Sequence, residues 1–326
     1  MIISKTPLRI SFFGGGSDYP TWYLKQKGEV ISSTINKYIY IDFKKIQNLL
    51  GFNYRLVYSK VENVQHIDQI QHDVIREALK YYKLKDCYEM HYNGDLPSKT
   101  GLGSSSSFIV GMINIILSLK NKNFSKNKLA KESINFERNI LKETVGSQDQ
   151  VAAAYGGFNS ISFYPNEKFV VNKNIISNSS IKKLNKNLLL IYTGKQRLAS
   201  NIAKSFTNKL HSTKKEAIVE ILQCVDECKK ILKSNSISDF GKLLNESWMI
   251  KKKLSSKISS TEIDDIYDNA IKNGATGGKI LGAGGGGFFI FYVNSDRQKF
   301  FLKKMKEFSS VEFKFVNNGS ETIKIG

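Results

Sequence analysis

Two stretches of this 326-residue chain have the residue types to hold an anion and act on it. The denser is "LPSKTGLGSSSS". In it Gly101 and Gly103 free the backbone around Leu102, and Ser104, Ser105, Ser106 and Ser107 crowd the start of an apolar run from Phe108. A helix N-terminus presents unpaired N–H groups at the positive end of its dipole, so such a loop suits phosphate oxygens. Serine hydroxyls there can share a Mg²⁺ ion with those oxygens. A helix cap needs one serine; four behind a double-glycine loop favour the anion. No Gly-Lys-Ser/Thr closes the loop, so it is not a Walker A motif.

The second stretch is "KTPLRISFFGGGSDYPTWY", a strand from Pro7 to Phe13 carrying Arg9, then Gly14, Gly15, Gly16, Ser17 and Asp18. A tight turn uses one or two glycines. Three followed by an acid let a ligand approach the backbone and meet an oxygen acceptor. Further on, "FERNILKETVGSQDQVAAAYGG" sets Glu137 inside a helix and Asp149 just after Gly146, opening a helix of small residues. Taken singly, Glu137 reads as a solvated helical face and Asp149 as a cap. Their company with the anion loop makes them candidates for chemistry.

A third glycine-rich loop, Gly282–Gly287, formally matches G-x-G-x-x-G. A dinucleotide loop follows a strand and opens a helix. Here the pattern gives a helix before and the strand "FFIFYV" after, so a turn packed against another loop is expected. "DFG" at Asp239–Gly241 has no H-R-D upstream, and "GGK" at Gly277–Lys279 lacks the flanks of a phosphate loop.

The elements that must position these residues follow from periodicity. Strands are expected at "PLRISFF", "EVISSTINKYIYIDFKKI", "YRLVYS", "CYEMHYNGDLP" and "NLLLIYTG", and helices at "QIQHDVIREALKYY", after the serine loop, and through the second half to about Ser255. The polar, Asn-rich stretch from Pro165 to Lys186 reads as a linker or surface excursion. An α+β architecture in two parts follows, 1–180 and 181–326.

With 41% apolar residues the chain can bury a large core. Its net charge of +20 fits a lysine-decorated surface or an enzyme of anionic substrates better than a nucleic-acid binder, since no dense basic tract is present. Cys87, Cys224 and Cys228 form no disulfide framework. Strand-like sequence from the outset and the lack of a long apolar segment predict a cytoplasmic protein with no membrane partner.

The motifs "PLRISFFGGGSDY", "LPSKTGLGSSSS" and "GGKILGAGGGGF", in this order, resemble those of the GHMP small-molecule kinases, over essentially the whole chain. The resemblance implies an N-terminal α/β domain and a ferredoxin-like C-terminal domain, with ATP and a sugar in the cleft between them. It implies that Gly101–Ser106 embrace the ATP phosphates and that Ser105 and Glu137 hold Mg²⁺. Asp149 is implied as the base and Arg9 as the cation beside it, with Gly15, Gly16, Ser17 and Asp18 on the sugar. The triple glycine and the "GSQDQ" turn are most similar to the branch that phosphorylates sugars at the anomeric carbon. Galactose-specific members carry Glu-His where this chain has Gly15-Gly16, so a larger sugar is expected. The implied acceptor is D-glycero-D-manno-heptose 7-phosphate, on the way to nucleotide-activated heptose and surface polysaccharide, with L-fucose as the alternative. Its phosphate would need a further cation, for which Arg197 matches a substrate-side arginine of the family; Lys195, Lys99 and Thr100 are alternatives.

Overall fold

The computed structural model describes residues 1–47, 49, 51–120, 124–173, 175–196, 199–234 and 237–326, with the backbone alone at 199. Seven strands come first: β1 (Ile2–Phe13), β2 (Gly28–Lys45), β3 (Tyr54–Val57), β4 (Val61–Val64), β5 (Tyr88–Gly94), β6 (Phe158–Phe163) and β7 (Phe169–Lys173). They form one twisted sheet around β2, whose first half pairs with β6 and whose second half pairs with β5. β1 runs antiparallel along β2, with a register shift at Pro7, which has no N–H to give the ladder. The expected strands at both ends of the glycine motif are therefore present, and they hold that motif at the edge of a buried sheet.

The helix Ser104–Leu119 is apolar on nearly every side and lies in the core. It packs on β1 and β2 and against the helices Lys126–Asn135 and Gln148–Tyr155. This fixes the serine loop at its N-terminus relative to the strand bearing Arg9.

A second sheet contains β8 (Leu188–Tyr192), β9 (Ala275–Ile280), β10 (Phe288–Val293) and β11 (Ser309–Val311), in the order β11-β8-β10-β9, all antiparallel. Numbered within the sheet this is 4-1-3-2, the ferredoxin-like order. The helix Asp239–Lys252 packs on β9 and β10, burying Phe240, Leu244 and Trp248, and the helix Lys215–Ser234 packs against it and against β1 and β2 of the first sheet. The last strand, β12 (Glu321–Lys324), returns to the first sheet and pairs with β1.

Three features differ from the expectation. The stretch from Pro165 to Lys186 is not a linker: it supplies β7, which pairs with β6, and the helix Asn178–Asn187. β9, "ATGGKI", precedes the third glycine loop, which is therefore the turn of a hairpin. Glycine lowers strand propensity, but Gly277 and Gly278 are needed where the backbone of Gly241 and the ring of Phe291 come close. The return of β12 has no sequence signal, since an edge strand this short shows no clear alternation. As expected, the third glycine loop packs on another loop: Phe288 N–H donates to Thr100 O at 3.0 Å, and Gly285 N–H to Ile258 O at 2.7 Å. Among the described residues no helix is long and apolar enough to cross a membrane.

Candidate active site

Arg9 rises from β1 into the serine loop. Its Nε and Nη2 donate to Asp149 Oδ1 and Oδ2 at 2.8 and 2.7 Å, and its Nη1 donates to Gly101 O at 2.6 Å. Its backbone N–H donates to Leu102 O at 3.0 Å. One guanidinium thus ties the carboxylate to the loop, in the two-pronged geometry that makes Arg–carboxylate pairs strong. Arg9 is almost fully buried, whereas the Asp149 side chain keeps 23% exposure and faces a cavity. Gly103 caps the Ser104–Leu119 helix with φ 75°, and a Cβ there would press against Arg9 and Asp149. Having no side chain, it leaves the first amides of that 16-residue helix for another partner.

Glu137 lies in a π-helical turn, Phe136–Ile140, a widening that often marks a functional position. Its buried carboxylate accepts from Ser106 Oγ at 2.8 Å and Gln150 Nε2 at 2.6 Å. Burial raises its pKa to about 7, against the lowering effect of those donors. The hydroxyl that reaches Glu137 is therefore that of Ser106, while Ser105 stands exposed on the cavity wall. Among the described residues no three His, Cys, Asp or Glu side chains gather as a protein-only metal site. The oxygen donors present suit a hard cation that takes most of its ligands from phosphate and water.

Asp18 is buried at the cavity edge. Gly16 N–H donates to its Oδ1 at 3.0 Å and Gln148 N–H to its Oδ2 at 3.4 Å, while Ser147 N–H holds its carbonyl at 2.9 Å. Burial pushes its pKa to about 6, the Gly16 N–H pulls it down, and the Asp149 charge adds to the rise. Gly146 is required beside it, because a Cβ would overlap the Asp18 carboxylate.

The cavity measures about 590 Å³, a size that suits small-molecule ligands. Of the expected residues, Arg9, Gly15, Gly16, Asp18, Gly101, Gly103, Ser104, Ser105, Ser106, Glu137 and Asp149 all line it. Ser17 and Leu102 do not. The Ser17 hydroxyl donates to Gly14 O and Glu29 O at 2.8 and 3.1 Å and so braces the glycine turn. Leu102 is buried and contributes its carbonyl to Arg9. Arg197 lies outside the described residues. Lys195 forms an ion pair with Glu262, Thr100 is buried beneath the loop, and Lys99 lines the cavity.

Several lining residues had no sequence signal. Tyr58, His72, Tyr92 and Phe108 form a connected aromatic wall, with ring centroids 4.9 Å apart for Tyr58–His72 and 5.3 Å for His72–Phe108. Tyr58 follows β3, His72 precedes the helix Asp73–Tyr81, Tyr92 is on β5 and Phe108 is in the helix Ser104–Leu119, so no spacing reveals them. Glu62 secures this wall by accepting from Tyr58 Oη at 2.6 Å and from the backbone N–H groups of Gln71 and His72. Lys251 and Lys279 enter from the second-sheet side.

Residues 70–157 match the GHMP kinases N terminal domain and residues 225–310 the GHMP kinases C terminal family. The chain is 32% identical, over 99% of both sequences, to D-glycero-alpha-D-manno-heptose 7-phosphate kinase of Campylobacter jejuni subsp. jejuni serotype O:2. It is 23% identical over 95% of its length to the bifunctional fucokinase/GDP-fucose pyrophosphorylase of Arabidopsis thaliana, of which it spans 32%. Its fold matches the crystal structure of a D-glycero-D-manno-heptose 1-phosphate kinase from Bacteroides thetaiotaomicron with a TM-score of 0.82, at 24% identity and over 100% of both chains.

Proposed function

This chain belongs to the GHMP kinase family, and we propose that it transfers the γ-phosphoryl group of ATP to the anomeric hydroxyl of D-glycero-D-manno-heptose 7-phosphate, giving the 1,7-bisphosphate. The family's fold implies a phosphotransferase with a small-molecule acceptor. The observation that carries the finer reading is the placement of Asp149, locked by Arg9 to the carbonyl of Gly101 and facing the same cavity as Asp18.

In this reading the free amides from Ser104 to Ser106 hold the phosphate chain at the helix N-terminus. The aromatic wall of Tyr58, His72, Tyr92 and Phe108 takes the base. Glu137 and Ser105, with Ser106 steadying the carboxylate, would hold Mg²⁺, which when bound offsets phosphate charge. Asp18 accepts hydrogen bonds from acceptor hydroxyls and fixes the sugar. Asp149 has lone pairs left beyond those facing Arg9, and it orients the anomeric hydroxyl and receives its proton. The bond from that oxygen to the γ-phosphorus forms as the bridge to the β-phosphate breaks, and ADP leaves. Phosphoryl transfer asks mainly for positioning and charge neutralisation, which Arg9 and the loop amides supply.

The similarity to the Arabidopsis protein supports a second reading, an L-fucose 1-kinase. Free sugars and sugar 7-phosphates offered with Mg-ATP, with ADP release followed and products identified by phosphorus NMR, separate the two. The proposal expects a new anomeric phosphate on the heptose 7-phosphate at the highest kcat/KM. Preference for L-fucose, or no turnover with any sugar phosphate, overturns it.

A further inference from the structure

Lys279 is a buried ammonium group lining the cavity, and the chemistry described so far does not use it. It projects from β9, crosses from the second sheet to the first, and donates to Phe12 O at 2.5 Å, two residues before the Gly14-Gly15-Gly16 turn. Among the described residues no carboxylate lies within ion-pair distance of it. Burial pushes its pKa down to about 8, and the positive charge of Arg9 adds to the lowering. A charged group taken out of water and left unpaired is costly, and proteins rarely keep one without use. Two of its three protons are left for another acceptor.

A second lysine adjoins it. Lys251 is also buried and cavity-lining, and its Nζ donates to Ile280 O at 3.3 Å, the residue next to Lys279, and to Gly282 O at 2.5 Å. Gly16 is closely covered nearby, since a Cβ there would lie 2.9 Å from Ile218 Cδ1 and 3.7 Å from Leu254 Cδ1. Gly15 is more open, since a Cβ there would meet only Gln148 Nε2 at 3.8 Å and Ser11 Oγ at 3.9 Å. Of the acids lining the cavity, Asp149 is paired with Arg9, Asp18 is held by backbone N–H groups and Glu137 accepts from Ser106 and Gln150; none of these, nor Glu143, forms an ion pair with Lys279.

We propose that Lys279, with Lys251 beside it, forms an anion subsite for the acceptor's own phosphate, lying against the Phe12–Gly16 turn and distinct from the serine loop that takes the nucleotide. The subsite explains how this chain selects a phosphorylated sugar: Gly15 leaves room at the cavity wall, and the lysines give counter-charge. It rests on the reading of the acceptor as a sugar phosphate.

The test compares kcat/KM for the heptose 7-phosphate with kcat/KM for the same heptose without its phosphate, in wild type, Lys279→Met and Lys279→Arg. Loss of a buried charge-assisted contact should lower this ratio by about 30-fold or more in Lys279→Met. Lys279→Arg, which keeps the charge, should retain most of the ratio. An equal fall for both sugars in Lys279→Met would place Lys279 on the transferring phosphoryl group and overturn the subsite; an unchanged ratio also overturns it. If neither variant folds, the wild-type crystal structure with bound sugar phosphate decides. A phosphate within hydrogen-bond distance of Lys279 Nζ supports the subsite, and one placed elsewhere refutes it. A wild type that turns over no sugar phosphate removes the functional reading itself, a result separable from these.

Discussion

Arg9 and Asp149 meet edge to edge: both carboxylate oxygens receive an N–H from the same guanidinium, at 2.8 and 2.7 Å, while its remaining terminal nitrogen grips Gly101 O at 2.6 Å. The planar fork makes these three contacts together, and a lysine ammonium cannot reproduce them. Arg9→Lys should therefore lower kcat by about 10²-fold, because a misoriented catalytic group forfeits the gain from positioning. It should also lower the thermal midpoint, since a buried ion pair is broken. Steady-state kinetics with a melting curve checks both, and full activity in the lysine variant would show that the fork is not needed.

Gly146 and Asp18 form a second tight pair, with no room for a methyl group between them. Gly146→Ala must push the Asp18 carboxylate out of place. The acceptor KM should rise about 10-fold or more while the ATP KM stays within about threefold, in line with loss of a hydrogen bond to a charged group. Equal rises in both would mean that the substitution disturbs the fold and not the acceptor contact.

The burial of Asp18 also makes stability depend on pH. Its folded pKa of about 6 lies above the ordinary 3.8, so the folded protein binds this proton more tightly than the unfolded chain. The stabilisation is complete below about pH 4, is lost as pH rises through about 6, and is constant above that. The difference is on the order of 2–3 kcal/mol. Asp18→Asn removes the titration, so its melting temperature relative to wild type should be higher at pH 8 than at pH 4. The same relative change at both pH values would contradict this.

Ser105 and Ser106 divide the work near Glu137, one facing the cavity and the other bonded to the carboxylate. Ser105→Ala should raise the Mg²⁺ concentration for half-maximal rate several-fold with little change in stability. Ser106→Ala should also destabilise the protein by about 1 kcal/mol, since a buried acceptor loses a donor. Titration of activity with Mg²⁺, together with urea unfolding, separates the two. Identical behaviour of both variants would remove the distinction.

The half of this candidate site built on the serine loop and the glycine turns was legible in the sequence because its parts are local. A double-glycine loop before an apolar helix, and acids flanking a glycine turn, each mark their own backbone need. Arg9, Glu137 and Asp149 sit on elements that periodicity finds, and the fold brings them to one cavity. The wall of Tyr58, His72, Tyr92 and Phe108 was not legible, since its rings come from two loop positions, a strand and a helix that only the tertiary fold brings together. Lys279 was hidden differently: it follows two glycines in a strand of poor propensity, and the carbonyl it bonds, that of Phe12, lies 267 positions away. Ser17 was over-read, because a serine in a glycine turn serves the turn before it serves a ligand.

The most direct test is Asp149→Asn, which preserves shape and removes the charge and the proton acceptor. If this cavity is a phosphoryl-transfer centre, the ATP dissociation constant should stay within about threefold while kcat with the sugar phosphate falls by about 10²-fold or more. Near-normal turnover in the variant would reduce Asp149 to a helix cap and contradict the catalytic reading.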